Sequence, residues 1–118
     1  MRREELIAAI ARVRQVHVDD QIYDYIARLA EVTRTHPLLK LGISPRGALA
    51  LCRTAKARAF AEGRDFVVPE DVTQMAEYVF AHRLMLSSKA RLNEYTPEAV
   101  VAEVLAQTQP PVLSERRA

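Results

Sequence analysis

Arg46 lies at the start of a predicted helix, where its positive charge could bind an anion. In Gly42-Ile43-Ser44-Pro45-Arg46, the serine is a favoured N-cap and the proline suits the first helical turn, so the arginine follows directly behind them. Free backbone N–H groups and the helix dipole already make this end positive, so a cation gains nothing there from its own helix. A phosphate from outside this helix would be bound well both by the free N–H groups of the helix start and by the arginine side chain. The same residue could equally be an ordinary surface arginine, and physical reasoning alone favours neither interpretation.

A stripe of alternating arginine and alanine continues along the same predicted helix. Arg46, Ala50, Arg53 and Ala57 share one side at helical spacing. Small alanines let another body approach closely, while the arginines present positive charge. We interpret the stripe as a docking face; a solvated face rich in helix-favouring alanine is the alternative.

The sequence lacks the motifs of an independent enzyme. It contains no GxxxxGK[ST] loop to cradle a triphosphate, and no hydrophobic strand that ends in paired acids to hold magnesium. His17, His36 and His82 lie too far apart in sequence for a local metal motif, and we interpret them as surface or partly packed residues. Cys52 is the single cysteine and is interpreted as a small core residue. We therefore expect no catalysis, metal or cofactor binding by this segment alone.

Length and composition describe one small globular domain. The chain has 118 residues, 49% of them hydrophobic, and a net charge of +2, which argues against bulk electrostatic binding to nucleic acid. A lone cysteine excludes an internal disulfide and fits a reducing compartment. No apolar run approaches membrane-spanning length, and the N-terminus does not resemble a signal peptide. These features together predict a cytoplasmic protein.

Helical periodicity accounts for most of the chain. It predicts an all-α fold, a small bundle of about five helices over residues 1–109, followed by a disordered tail at 110–118. The predicted helices are Arg3–Val13, a second from Asp19-Asp20 to about Arg34, a third from Ser44 to near Gly63, a fourth from Pro69 to about Leu86, and a fifth from Thr96 to near Gln107. The predicted connectors are Thr35–Ile43, Phe66–Val68 and Ser87–Tyr95.

A second arginine, Arg83, is predicted near the end of the fourth helix. It falls on the apolar stripe of Val72, Ala76 and Val79, where a charged side chain needs a partner. We interpret it as interacting with the carbonyl end of its own helix, with its stem snorkelling along the surface. A nucleotide or intersubunit role is the alternative.

The run from Gly42 to Val72 resembles the C-terminal lid of MoxR family AAA+ ATPases. The segments that carry the resemblance are Gly42-Ile43-Ser44-Pro45-Arg46, Leu49-Ala50-Leu51, Ala55-Lys56-Ala57-Arg58-Ala59 and Glu62–Val72. The flanking Val16–Tyr25, His82-Arg83-Leu84 and Thr96-Pro97-Glu98 also match, so the resemblance covers nearly the whole chain. Val68 is a departure, because such lids usually have threonine there; without it the fourth helix lacks a side-chain N-cap.

The resemblance implies a specific role for the helix start. Arg46 would be the sensor 2 residue, reaching the γ-phosphate of ATP that an upstream α/β core holds with Mg²⁺. Gly42, Ser44 and Pro45 would support that helix start, and Ala50, Arg53 and Ala57 would form a face that docks on the core. The family also implies a homo-oligomeric ring, typically a hexamer, and chaperone-like remodelling of partners, often proteins with von Willebrand factor A domains. Because the chain starts at Met1 without an ATPase core, we expect an excised fragment; a truncated natural product is the alternative.

Two other functions fit parts of the sequence. The stretch Glu62–Val72 is also similar to histone-fold proteins, which would make the chain a small helical DNA-binding module. Its near-neutral charge and the absence of a long central helix argue against this, so nucleic acid is not an expected partner. The other alternative is a protein-interaction domain with no link to a nucleotide.

Overall fold

A computed structural model describes residues 2–113 of the chain. Over these residues the all-α prediction is confirmed, with six α-helices and a single pair of very short strands. The elements are α1 (Arg3–Arg14), α2 (Asp20–Arg34), β1 (Leu39–Leu41), α3 (Pro45–Ala61), α4 (Pro69–Phe80), a 3-10 turn (Ala81–Arg83), β2 (Met85–Leu86), α5 (Ser88–Leu92) and α6 (Pro97–Gln107).

Side-chain N-caps start most of the longer helices. Asp19, Ser44 and Thr96 each accept a hydrogen bond from a backbone N–H in the first turn of the helix that follows. Each bond satisfies one of the N–H groups that a helix start leaves free. The predicted starts of α2, α3 and α6 are therefore confirmed.

The hydrophobic core lies between α2, α3, α4 and α6. One side of α2, formed by Ile22, Ile26, Leu29 and Thr33, is buried. From α3, Leu51 and its neighbours Cys52, Ala55 and Ala59 are buried, which confirms the interpretation of Cys52 as a small core residue. Small side chains on this face let α4 pack closely against α3.

The connector Thr35–Ile43 is not simply a loop, and α4 does not reach Leu86. β1 lies within the connector and pairs antiparallel with β2, Leu39 opposite Leu86 and Leu41 opposite Met85. Since residues 85–86 take part in this pairing, the chain must leave α4 at Phe80 and turn back through the 3-10 turn.

The connector Ser87–Tyr95 is also more ordered than predicted. Ser87 accepts a hydrogen bond from the Ala90 N–H and starts the short helix α5. The chain leaves it at Glu94, which has a φ of 61°. This helix brings the number in the described part to six, where five were expected.

His36 is buried, contrary to the prediction of a surface or partly packed residue. Its Nδ1 accepts from the Leu38 N–H at 3.1 Å, and its Nε2 lies 3.3 Å from Glu103 Oε1. Because both ring nitrogens have partners, burial costs this side chain little. His17 and His82 are exposed, as predicted.

The end of the described chain has no regular secondary structure. Residues 110–113 follow α6, and Leu113 packs partly buried against the core. The tail predicted from residue 110 thus begins within the described part, while its stretch from residue 114 to 118 lies outside the described residues. No helix in the described part has the length and apolar character that crossing a bilayer requires.

Candidate functional site

The backbone before α3 is fixed against the end of α2. The Ile43 N–H donates to Thr33 Oγ1 at 2.8 Å, and the Ile43 carbonyl accepts from Arg34 Nε at 2.8 Å. A Cβ on Gly42 would lie 2.7 Å from the carbonyl carbon and oxygen of Thr33, so a larger residue would force the backbones apart. The position of α3 is therefore set by α2 through this close contact.

The first turn of α3 follows directly from that anchor. Ile43 is buried, Ser44 Oγ accepts from the Gly47 N–H at 3.2 Å, and Pro45 is the first helical residue. The helix start predicted at Ser44-Pro45 is confirmed. Its first turn cannot swing freely, because the residue before the cap belongs to the core.

Arg46 is exposed on this first turn. Within residues 2–113, no hydrogen bond or ion pair engages its guanidinium. The charge lies outside the core at the positive end of a helix whose N–H groups already favour anions. This arrangement leaves the guanidinium available to an anion on another domain.

The predicted docking face continues along α3 from Arg46. Ala50 is half-buried, while Arg53 and Ala57 are exposed one and two turns further along the helix. Arg53 and Ala57 also line an open groove between α1 and α3. The structure therefore places all four residues on one accessible side of α3, and their role in docking stays a prediction.

Arg83 lies beside the same helix start, which sequence reasoning missed. It follows α4 in the 3-10 turn and is exposed, so the predicted stripe with Val72, Ala76 and Val79 is wrong. Its Cδ is 3.4 Å from the place that a Cβ on Gly47 would occupy. Across the described residues it makes no hydrogen bond to a carbonyl of α4. The sequence indicated that Arg83 needs a partner, but it could not show that the 3-10 turn places this residue beside α3.

A buried carboxylate that sequence reasoning overlooked joins α3 to α4. Asp71 receives hydrogen bonds from Arg58 at 2.6 Å, from both terminal nitrogens of Arg64 at 2.7 Å, and from the Val68 N–H at 2.8 Å. Burial alone would raise the pKa of Asp71, but these hydrogen bonds outweigh it and hold the pKa below its ordinary value. The sequence did contain a signal for this role: Asp71 stands three residues after Val68, whose side chain cannot cap a helix.

In the part of the chain that the structure describes, neither Cys52 nor the residue types that bind metals form a reactive site. Cys52 is buried, and burial raises the pKa of its thiol, which disfavours the reactive thiolate form. Within residues 2–113, no three histidine, cysteine, aspartate or glutamate side chains lie together in a group that could hold a metal ion. The exposed arginine at the start of α3 therefore remains the best candidate for function.

Comparison with known proteins agrees with this fold. The model of the AAA lid domain family matches residues 31–104, and the chain belongs to that family. This match includes the anchor before α3, the exposed face of α3 and the buried Asp71. Because the match also includes Glu62–Val72, it favours a lid domain over the histone-fold alternative that this stretch suggested.

The chain is also similar to several longer bacterial proteins, some of which carry the name MoxR. The chain is 37% identical to the uncharacterised protein YeaC of Bacillus subtilis over 93% of this chain and 34% of that protein. It is 34% identical to the chaperone MoxR1 of Mycobacterium tuberculosis over 75% of this chain and 26% of that protein. The predicted resemblance to the lid domain of a MoxR family AAA+ ATPase is thereby confirmed.

A solved structure supports the same assignment. The fold superposes with a TM-score of 0.82 on a crystal structure from Cytophaga hutchinsonii that is assigned as an ATPase, at 26% identity. The match covers 86% of this chain and 34% of the other. The chain thus spans about a third of the length of the longer proteins that it matches.

Proposed function

We propose that this lid closes over ATP held with Mg²⁺ by the ATPase core of a longer protein, and that Arg46 contacts the γ-phosphate. The observation that carries the proposal is the exposed, uncommitted guanidinium on a helix start that the domain's own core holds in place. An arginine that supplies charge to a transferring phosphoryl group can change turnover by orders of magnitude.

The rigid start of α3 explains how nucleotide state would reach the rest of the lid. Gly42 and Ile43 fix the helix to α2, and Ser44 and Pro45 start it. A pull on Arg46 from a phosphate would therefore move the packed helices as one body. Loss of that contact after hydrolysis would release the lid, which couples its position to the nucleotide.

The other residues of the docking face, Ala50, Arg53 and Ala57, would contact the ATPase core domain. Ala50 and Ala57 allow close approach, and Arg53 presents a positive charge beside them. For the whole protein we propose a cytoplasmic homo-oligomeric ring, as a hexamer, that remodels partner proteins in a chaperone-like manner, among them proteins with von Willebrand factor A domains. The name of the mycobacterial relative, a chaperone, supports the remodelling activity.

The test is Arg46→Ala in the full-length ATPase. We expect the turnover of ATP to fall by at least roughly tenfold, because the charge at the γ-phosphate is lost. Arg91→Ala, an exposed arginine on α5, is the matched control and should leave turnover unchanged. Unchanged turnover and unchanged nucleotide affinity in Arg46→Ala would defeat the proposal and favour an interaction domain that is independent of nucleotide.

A further inference from the structure

An open groove of about 700 Å³ runs between α1 and α3. Its apolar lining comes from both helices: Leu6, Ala9, Ile10, Val13, Ala57 and Phe60. It lies on the same side of α3 as Arg53, at the edge of the proposed docking face. The groove is therefore continuous with a surface that we expect another domain to cover.

The helix α1 is incompletely packed on the domain. None of its residues is buried, and Leu6, Ile7 and Ile10 are 50%, 50% and 45% exposed. An amphipathic helix normally buries its apolar stripe against a core. On this helix the stripe lies along the edge of α3 and stays about half exposed, so much of it remains available to a further apolar surface.

The charged residues that line the groove are all basic. Its charged lining residues are Arg14, Arg53 and Lys56, and no acidic residue lines it in the described part of the chain. Lys56 Nζ donates to the Arg14 carbonyl at 2.9 Å, which holds the ammonium at the rim. Arg12 lies 5.3 Å from the centre of the Phe60 ring and adds a further positive charge nearby. A complementary occupant is therefore apolar in the middle and acidic at its edges.

We propose that the groove receives an acidic amphipathic helix of the ATPase core, an inference that rests on the proposed function. Arg53 and Ala57 belong both to the groove and to the face expected to meet that core. From Leu6 to Val13 the floor is roughly 10 Å long, which accommodates about two helical turns. A helix of that length enters such a groove through apolar anchors spaced three, four and seven residues apart.

The charge pattern favours this occupant over a second copy of α1. That helix carries Arg3, Arg12 and Arg14 against only Glu4 and Glu5, so a second copy would bring a helix of net positive charge to a basic rim. A nucleic acid would suit the basic rim but would leave Leu6 and Ile10 against a charged backbone. Only an acidic segment with apolar anchors satisfies both the rim and the floor.

Site-specific photo-crosslinking in the full-length ATPase tests the proposal. The photoreactive amino acid p-benzoylphenylalanine replaces Ile10, and mass spectrometry identifies the peptide that it captures. We expect a helical peptide of the ATPase core with aspartate or glutamate beside its apolar residues. Replacement of Leu92, which is 83% exposed on the short helix α5, is the matched control and should not capture that peptide.

Charge reversal tests the basic rim in the same assay. The double change Arg53→Glu and Lys56→Glu should lower the crosslink yield by at least roughly fivefold, whereas Lys89→Glu with Arg91→Glu on α5 should leave it unchanged. Should the rim variant not fold, wild-type protein at 1 M salt must show the same loss, since salt screens exposed charges.

The outcomes separate this proposal from the nucleotide-sensing role of Arg46. Arg46→Ala should keep the full crosslink even where ATP turnover falls. Capture of a second lid domain, of another protein, or of a core segment without carboxylates would overturn the proposal, and so would the absence of a crosslink or a yield insensitive to rim charge and salt.

Discussion

Asp71 is buried, and its charge is balanced by two arginines that remain about a quarter exposed. Its carboxylate also accepts from the Val68 N–H and so replaces part of the cap that the valine cannot provide. The Asp71 side chain therefore caps the start of α4 and, through Arg58, bonds α4 to α3, the helix that carries Arg46.

We expect Asp71→Asn to lower the free energy of unfolding by about 3 kcal/mol, because Arg58 and Arg64 would lose their shared counter-charge. Urea denaturation at pH 7 measures this change. Glu70→Gln, at the exposed neighbouring position, is the control and should change stability by less than about 0.5 kcal/mol. Equal effects of the two substitutions would show that the buried ion cluster contributes little.

The same carboxylate predicts a pH dependence. Its folded pKa is held below the ordinary value of about 3.9, so the stability it adds is present above roughly pH 4 and is lost as the pH falls through the folded pKa. The difference in unfolding free energy between wild type and Asp71→Asn should therefore shrink below about pH 4. A gap of constant size down to pH 3 would contradict this linkage.

At the scale of elements, the position of α3 depends on the absence of a side chain at Gly42. We expect Gly42→Ala to destabilise the domain by about 1–3 kcal/mol, because the added Cβ would overlap the backbone of Thr33. Thermal unfolding measures the loss, and Lys40→Ala at a nearby exposed position is the control. An unchanged melting temperature in Gly42→Ala would mean that the two helix ends can separate at no cost.

The start of α4 can be improved. We expect Val68→Thr to raise the free energy of unfolding by about 1 kcal/mol, since a threonine hydroxyl can accept from a free N–H of the first turn. Chemical denaturation of the two proteins measures the gain. Val68→Ala supplies no acceptor and should show none; a gain of similar size in both variants would exclude capping as the cause.

The sequence predicted helix starts well because capping is local. Ser44 and Thr96 act on N–H groups three residues away, so their roles can be read from neighbouring letters. The pairing of residues 39–41 with 85–86 and the turn that takes Arg83 to α3 depend on segments distant in the chain, which periodicity cannot detect. For the candidate site, the position of Arg46 at a helix start was therefore predictable from the sequence. The contact of Gly42 and Ile43 with Thr33, and the position of Arg83 beside α3, were not.

At the scale of the whole molecule, Arg46 is the residue that we propose to contact a nucleotide, and the sequence contains no phosphate-binding loop. We expect the isolated 118-residue chain to bind ATP with a Kd weaker than about 1 mM, since a single exposed arginine cannot replace a phosphate-binding loop. Isothermal titration calorimetry measures the affinity. A micromolar Kd would require a complete binding site within the lid itself.

The strand pair has a consequence for biosynthesis. A ribosome adding 5–20 residues per second needs roughly 2–9 s to extend the nascent chain from residue 41 to residue 85. During that delay β1 has no pairing partner, and an open strand edge invites association with other unfinished chains. A polypeptide released between residues 46 and 83 would retain Arg46 but would lack both the second strand and Arg83, the arginine beside Gly47.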